Sequence, residues 1–246
     1  MAVYSEVIGT QRQAKTRERV FYSGMAIAIL MVIFVGFSRT FYLRPYFHSE
    51  RLIPLLILHG MIFSSWLALF VTQTTLVATK RTRIHMKLGV AGGVIAALMI
   101  IIGSFTAIVR AKGPSPLPDV NPLSFLTIPL GDMLVFGILV SAAFYFRRKL
   151  DTHKRLMLLS SIALLPAGVA RWPIGFIETG GPLVFYGLAD LFIVPCLVFD
   201  IVTRGRPHRA TLLAGSLVVI SQPLRLMIGS THAWLVFATW LTRGIS

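Results

Sequence analysis

Leu58–Gly89 reads LHGMIFSSWLALFVTQTTLVATKRTRIHMKLG, and its character changes once, sharply. From Leu58 to Ala78 it is an apolar run broken only by small or uncharged polar side chains and His59. It then turns into Lys80, Arg81, Arg83 and, past His85, Lys87. About twenty apolar residues are what a helix needs to cross a hydrocarbon core about 30 Å thick. A Lys/Arg cluster at the end of such a helix marks its cytoplasmic side. The stretch therefore predicts a spanning helix that leaves the bilayer at the basic cluster and a second helix that re-enters near Lys87.

The same pattern repeats outward in both directions. Apolar runs predict spans at about 20–37, 52–78, 87–109, 126–146, 155–177, 183–202 and 210–228, with residues 1–19 as a polar cytoplasmic lead-in and 20–246 as one transmembrane unit. The expected fold is all-α, a polytopic membrane helix bundle of about seven transmembrane helices. Residues 232–242 read as a short amphipathic end. The Gly/Pro-rich loop at 110–125 is predicted to be irregular. Pro166, Pro173, Pro195 and Pro223 fall inside predicted spans and predict kinks, which a membrane tolerates when neighbours satisfy the freed carbonyls. Gly89, Gly92, Gly93 and Gly103 predict close helix packing.

Composition agrees: 55% of residues are hydrophobic and 13% charged, against about 25% charged in a soluble domain. The net charge of +15 does not point to nucleic acid, because the charges sit in short segments between apolar runs. Sixteen of the 24 Lys and Arg lie in the N-terminal segment and the segments 79–88, 147–155 and 203–209. The positive-inside rule then puts the N-terminus in the cytoplasm and the C-terminus outside, in the cell's inner (plasma) membrane. The same basic segments are expected to touch anionic lipid headgroups at the cytoplasmic face. Trp- and Phe-rich faces suit either lipid or other membrane subunits. The single cysteine, Cys196, allows no internal disulfide.

Ionisable residues inside spans are candidates for function. Counting from the basic boundaries at about 1.5 Å per residue puts Asp132, Arg171, Asp190 and Arg225 each roughly 21–24 Å above the cytoplasmic side, in one layer in the outer third of the bilayer. Gln222 lies near this height. Two readings stand. The residues form interhelical salt bridges that fix packing, or they line a pocket open to the outside that binds an anionic or quinone-like small molecule.

His85 and His153 occupy equivalent places, each after a basic run and before an apolar helix. Two histidines at one height on neighbouring helices can ligate a haem iron axially, with nearby Arg and Lys neutralising its propionates. With His208, Asp151 or Asp200 the same residues can hold zinc. The alternative is two solvated histidines in basic loops.

His59, Gln73, Arg83, His85, Leu88 and Gly89, followed by His153, Lys154 and Met157, resemble a group of uncharacterised bacterial polytopic membrane proteins. Their pattern is a helix opened by His, then Gln, basic residues and His-x-x-Leu-Gly, with a later His-Lys/Arg-x-x-Met. Ala170-Arg171-Trp172-Pro173 belongs to the same likeness, which covers about residues 55–175. The resemblance implies a redox or haem-linked accessory role. The first functional expectation is a haem- or quinone-linked redox or assembly component, with haem b as cofactor and His59, His85 and His153 as cofactor-binding residues. The alternative is a small-molecule binder or transporter built on Asp132, Arg171, Asp190 and Arg225.

Overall fold

The computed structural model describes residues 2–49, 51–117 and 120–244. It is an all-α helical bundle: α1 (Ala2–Phe37), α2 (Pro54–Ala78), α3 (Thr82–Arg110), α4 (Pro122–Phe125), α5 (Thr127–Tyr145), α6 (Leu150–Ile162), α7 (Leu165–Val169), α8 (Gly175–Asp190), α9 (Ile193–Arg204), α10 (Arg209–Gly229) and α11 (His232–Arg243). Six stretches are long and apolar enough to cross a membrane: Gln13–Tyr42, Pro54–Ala78, Thr82–Arg110, Pro122–Tyr145, Thr179–Arg204 and Arg209–Gly229. The chain is thus a multi-pass membrane protein.

The expected span at 155–177 is delivered in pieces. α6 stops at Ile162 and α7 opens at Leu165, because Pro166 has no N–H to continue the ladder. A turn around Arg171–Pro173 precedes α8. Together α6 and α7 cover residues 150–169, about 30 Å at helical rise, enough to cross. They are also the most enclosed part of the bundle. Every residue from Leu158 to Pro166 is buried, against α1, α5 and α10. The serines that lower the hydropathy here are satisfied in place. Ser160 and Ser161 donate to the Met157 carbonyl at 2.8 and 3.2 Å, and Trp66 Nε1 donates to Ser161 Oγ at 3.3 Å.

The span at 183–202 is broken too. α8 is kinked at Gly181, whose φ of +67° suits glycine, just before Pro182. α8 then ends at Asp190, and α9 begins at Ile193 with Pro195 in its first turn. The 110–125 loop is less irregular than expected. Asn121 Oδ1 accepts the Leu123 N–H at 2.8 Å and caps the single turn of α4. Of the glycines expected to permit close packing, Gly103 does so. A Cβ there would lie 2.5 Å from Met133 Sδ, whereas one on Gly89 would meet nothing. The tightest crossing uses others: a Cβ on Gly36 of α1 would fall 2.1 Å from the Gly168 carbonyl oxygen of α7. Trp172 Nε1 fastens the same crossing by donating to Val32 O at 3.1 Å.

The basic segments share one end of the bundle. Lys154 pairs with Glu18 at 2.7 Å, Arg204 with Asp151 at 3.3 Å, and Phe21 stacks on Phe199 at 4.1 Å. The opposite end is closed by α11, where Trp234 Nε1 donates to Leu123 O at 2.7 Å.

Candidate functional site

Toward the end away from the basic loops, α5, α8 and α10 bring their polar residues together. Arg225 on α10 pairs with Asp132 on α5, both only 7% exposed. Gly131 makes this possible, since a Cβ there would lie 2.4 Å from Arg225 Cδ. Arg225 Nη2 also donates to Ser221 Oγ at 2.9 Å. Three residues back along α10, Gln222 Nε2 donates to Asp190 Oδ1 at 2.8 Å. One turn before Asp190, Tyr186 sets its ring 6.0 Å from the Arg225 guanidinium.

Two polar atoms in this cluster are buried without a partner: Tyr186 Oη and Arg225 Nε. Such atoms are costly in a bilayer, where no water is on hand to replace the missing bond. Asp190 is half-buried, and its side-chain partner is the neutral Gln222 rather than a cation. It stands where the span Thr179–Arg204 is interrupted between α8 and α9. The cluster therefore holds two carboxyls against one guanidinium.

Three of the four expected layer residues, Asp132, Asp190 and Arg225, are thus brought together with Gln222. Arg171 is not with them. Its guanidinium lies over the Phe37 ring at 4.6 Å and donates to Ala167 O at 2.5 Å, on the α1/α7 side. Height along a helix is legible from residue counts, but the direction in which a side chain leaves the helix is set by the kinks before it. Tyr186 was missed; its signal was the four-residue spacing to Asp190, which places both on one helix face.

The three histidines do not form one site. His59, near the start of α2, stacks on Phe63 at 4.1 Å, and its Nδ1 is buried without a partner. His85 and His153 lie together at the basic end, ring centroids 6.5 Å apart. Gln73 Nε2 donates to the His85 carbonyl at 3.2 Å, which ties the end of α2 to the start of α3. His153 Nδ1 is bonded to Ala143 O at 2.8 Å. Nearly the whole length of α2 separates His59 from the other two.

A third polar centre at the basic end was not foreseen as a unit. Asp200 accepts from Arg155 Nε at 2.8 Å, from Thr211 Oγ1 at 2.5 Å and from the His208 backbone N–H at 3.1 Å. Arg155 Nη1 also donates to Asp151 O at 2.8 Å. With both carboxylate oxygens bonded, Asp200 is a structural clamp between α6, α9 and α10 rather than a free metal ligand. His208 Nδ1 is likewise taken, accepting the Ala210 N–H at 3.0 Å. Among the described residues no group of three or more His, Cys, Asp or Glu is placed to hold a metal ion.

No family model matches the chain, and neither a curated protein nor a solved structure was found to be similar to it.

Proposed function

We propose that the chain is a membrane-embedded binder of a small cationic solute, acting as a transporter, with its site at Asp190, Asp132, Arg225, Gln222 and Tyr186. The observation that carries this reading is the charge balance. Two carboxyls face one guanidinium, that guanidinium is paired with Asp132, and among the described residues the side-chain hydrogen-bond partner of Asp190 is the neutral Gln222. A site with an uncompensated carboxyl attracts a cation and repels the anion that the sequence led us to consider. The break after Asp190 supports it as well, since interrupted helices near the bilayer's interior expose main-chain groups to ions and solutes. The orphaned Tyr186 hydroxyl and Arg225 Nε offer further polar contacts to an occupant.

The N-terminus lies in the cytoplasm in this reading, and the basic end touches anionic headgroups of the plasma membrane. The solute then enters from outside, the nearer side. The haem-linked alternative retains His85 and His153 but not His59.

Uptake by proteoliposomes tests the proposal. Sodium, potassium and choline are offered in turn to vesicles carrying the wild-type chain or Asp190→Asn. Uptake of at least one cation is expected in the wild type and is lost in Asp190→Asn. Equal uptake by the two would remove Asp190 from the site and the proposal with it.

A further inference from the structure

We propose that His85 and His153 ligate one metal centre from opposite sides. This is a second site, a bundle length from the cation cluster and independent of it. An imidazole nitrogen sits roughly 2 Å from a bound metal ion, so each ring centroid lies about 3.2 Å from it. Two rings on opposite sides of the metal are then about 6.4 Å apart, and two at the tetrahedral angle about 5.2 Å apart. The observed separation is 6.5 Å, with the ring planes at 79°. It fits the opposite-side arrangement and is more than about 1 Å too wide for a tetrahedral zinc site.

The nitrogens are prepared for the task. His153 Nδ1 donates to the Ala143 carbonyl at 2.8 Å in the tautomer that leaves Nε2 with its lone pair free. That is the usual support of a metal-bound histidine, since the second nitrogen fixes ring and tautomer. No protein group is bonded to His153 Nε2 among the described residues. His85 Nδ1 is buried without a hydrogen-bond partner, and a metal ligated there removes the deficit. The rings are carried by different helices, α3 and α6, and meet at the C-terminal end of α5, which packs against both. Their separation is therefore set by tertiary packing.

The surroundings narrow the choice of metal. Lys80, Arg81, Arg83 and Lys87 flank one histidine and Arg147, Arg148 and Lys149 the other. Asp151, two residues before His153, is already paired with Lys154 and Arg204, so this field disfavours a bare dication. It accepts a monovalent ion or a metal that brings its own negative charge. Two centres take two opposed imidazoles and meet that condition: monovalent copper, and the iron of a haem, whose propionates would face the basic side chains.

The test loads the detergent-purified full chain in two arms. In one, monovalent copper is kept reduced with ascorbate and titrated against a chromogenic chelator. In the other, haemin is added, and the spectrum is recorded before and after dithionite. One arm is expected to reach one metal per chain, the haem arm with the sharp reduced bands of a six-coordinate, low-spin iron. His85→Ala or His153→Ala is expected to weaken that binding at least tenfold, and His59→Ala to leave it unchanged. His85 Nδ1 has no hydrogen-bond partner, so His85→Ala remains decisive if His153→Ala disturbs the α5–α6 junction. Failure of both metals to bind at one per chain, or binding that survives His85→Ala, would overturn the proposal. Neither result bears on uptake by Asp190→Asn, so the two sites are judged separately.

Discussion

Asp190 and Asp200 are both aspartates in the same predicted span, ten residues apart, and their surroundings give them different work. Asp200 accepts four hydrogen bonds and faces Arg155, leaving no capacity for a ligand. Asp190 accepts one side-chain bond from a neutral amide. Removing one partner of a buried ion pair typically costs about 3–5 kcal/mol, while replacing both by apolar residues is often neutral. Arg155→Met alone is therefore expected to lower stability by about that amount, and Arg155→Met with Asp200→Leu to recover most of it. Reversible unfolding in mixed micelles measures both.

His208 supplies a pH dependence of its own. Burial, then Arg155 and Arg204 nearby, push its pKa below the ordinary imidazole value, and its neutral Nδ1 caps α10. The unfolded chain takes up this proton first, near pH 6.5, so the stability contributed by the neutral ring is present above that value and is lost as pH falls below it. His208→Asn, which keeps a capping oxygen, is expected to show a smaller loss of melting temperature between pH 7.5 and 5.5 than the wild type. Equal losses would show that the cap does not titrate. Which polar residues sit within spans was legible from composition. Which of them are saturated was not, because that depends on contacts such as Asp200 with Thr211 across two helices.

At the level of elements, the prolines decide most. Pro166 divides α6 from α7, Pro182 follows the kink at Gly181, and Pro195 stands in the first turn of α9. The expected kinks at Pro166 and Pro195 match two of these interruptions, the one at Gly181–Pro182 was not expected, and Pro223 lies inside the continuous α10; the break beside Asp190 is the one that gives the candidate site its form. The glycine contacts were less legible. Small residues recur in α3, yet the closest approach is between Gly36 and Gly168, in helices far apart in the chain. A stripe of small residues shows where close packing is possible, and only the partner helix shows where it occurs. Gly36→Ala is expected to destabilise the protein strongly, since the new methyl would meet a main-chain carbonyl. Gly89→Ala is expected to be neutral or slightly stabilising through helix propensity. Thermal unfolding of the two variants in one detergent checks the contrast.

For the whole molecule, an alternation of apolar runs and basic segments carries the topology. Glu18 with Lys154, Asp151 with Arg204, and His85 with His153 all bring basic segments to one end. The side chains on the outer faces of α2, α3 and α10, Met61, Val90, Ile101, Leu213 and Met227 among them, are apolar and exposed, as a lipid-facing surface requires. Cys196 is the one cysteine and is buried, so Cys196→Ala provides a background for single reporter cysteines. In right-side-out vesicles, a cysteine at Ser115 is expected to react with an impermeant maleimide and one at Thr82 only after permeabilisation. The reverse pattern would invert the proposed orientation.

The claim on which the functional account rests is that the cluster around Asp190 takes a small cation. The direct measurement is the melting temperature of the purified chain in sodium, potassium, choline and N-methylglucamine chlorides at one ionic strength. The account predicts that at least one of the three smaller cations raises the melting temperature above its value in N-methylglucamine, that Asp190→Asn abolishes the rise, and that His85→Ala leaves it intact. The same melting temperature in all four salts, or a rise that persists in Asp190→Asn, would contradict it.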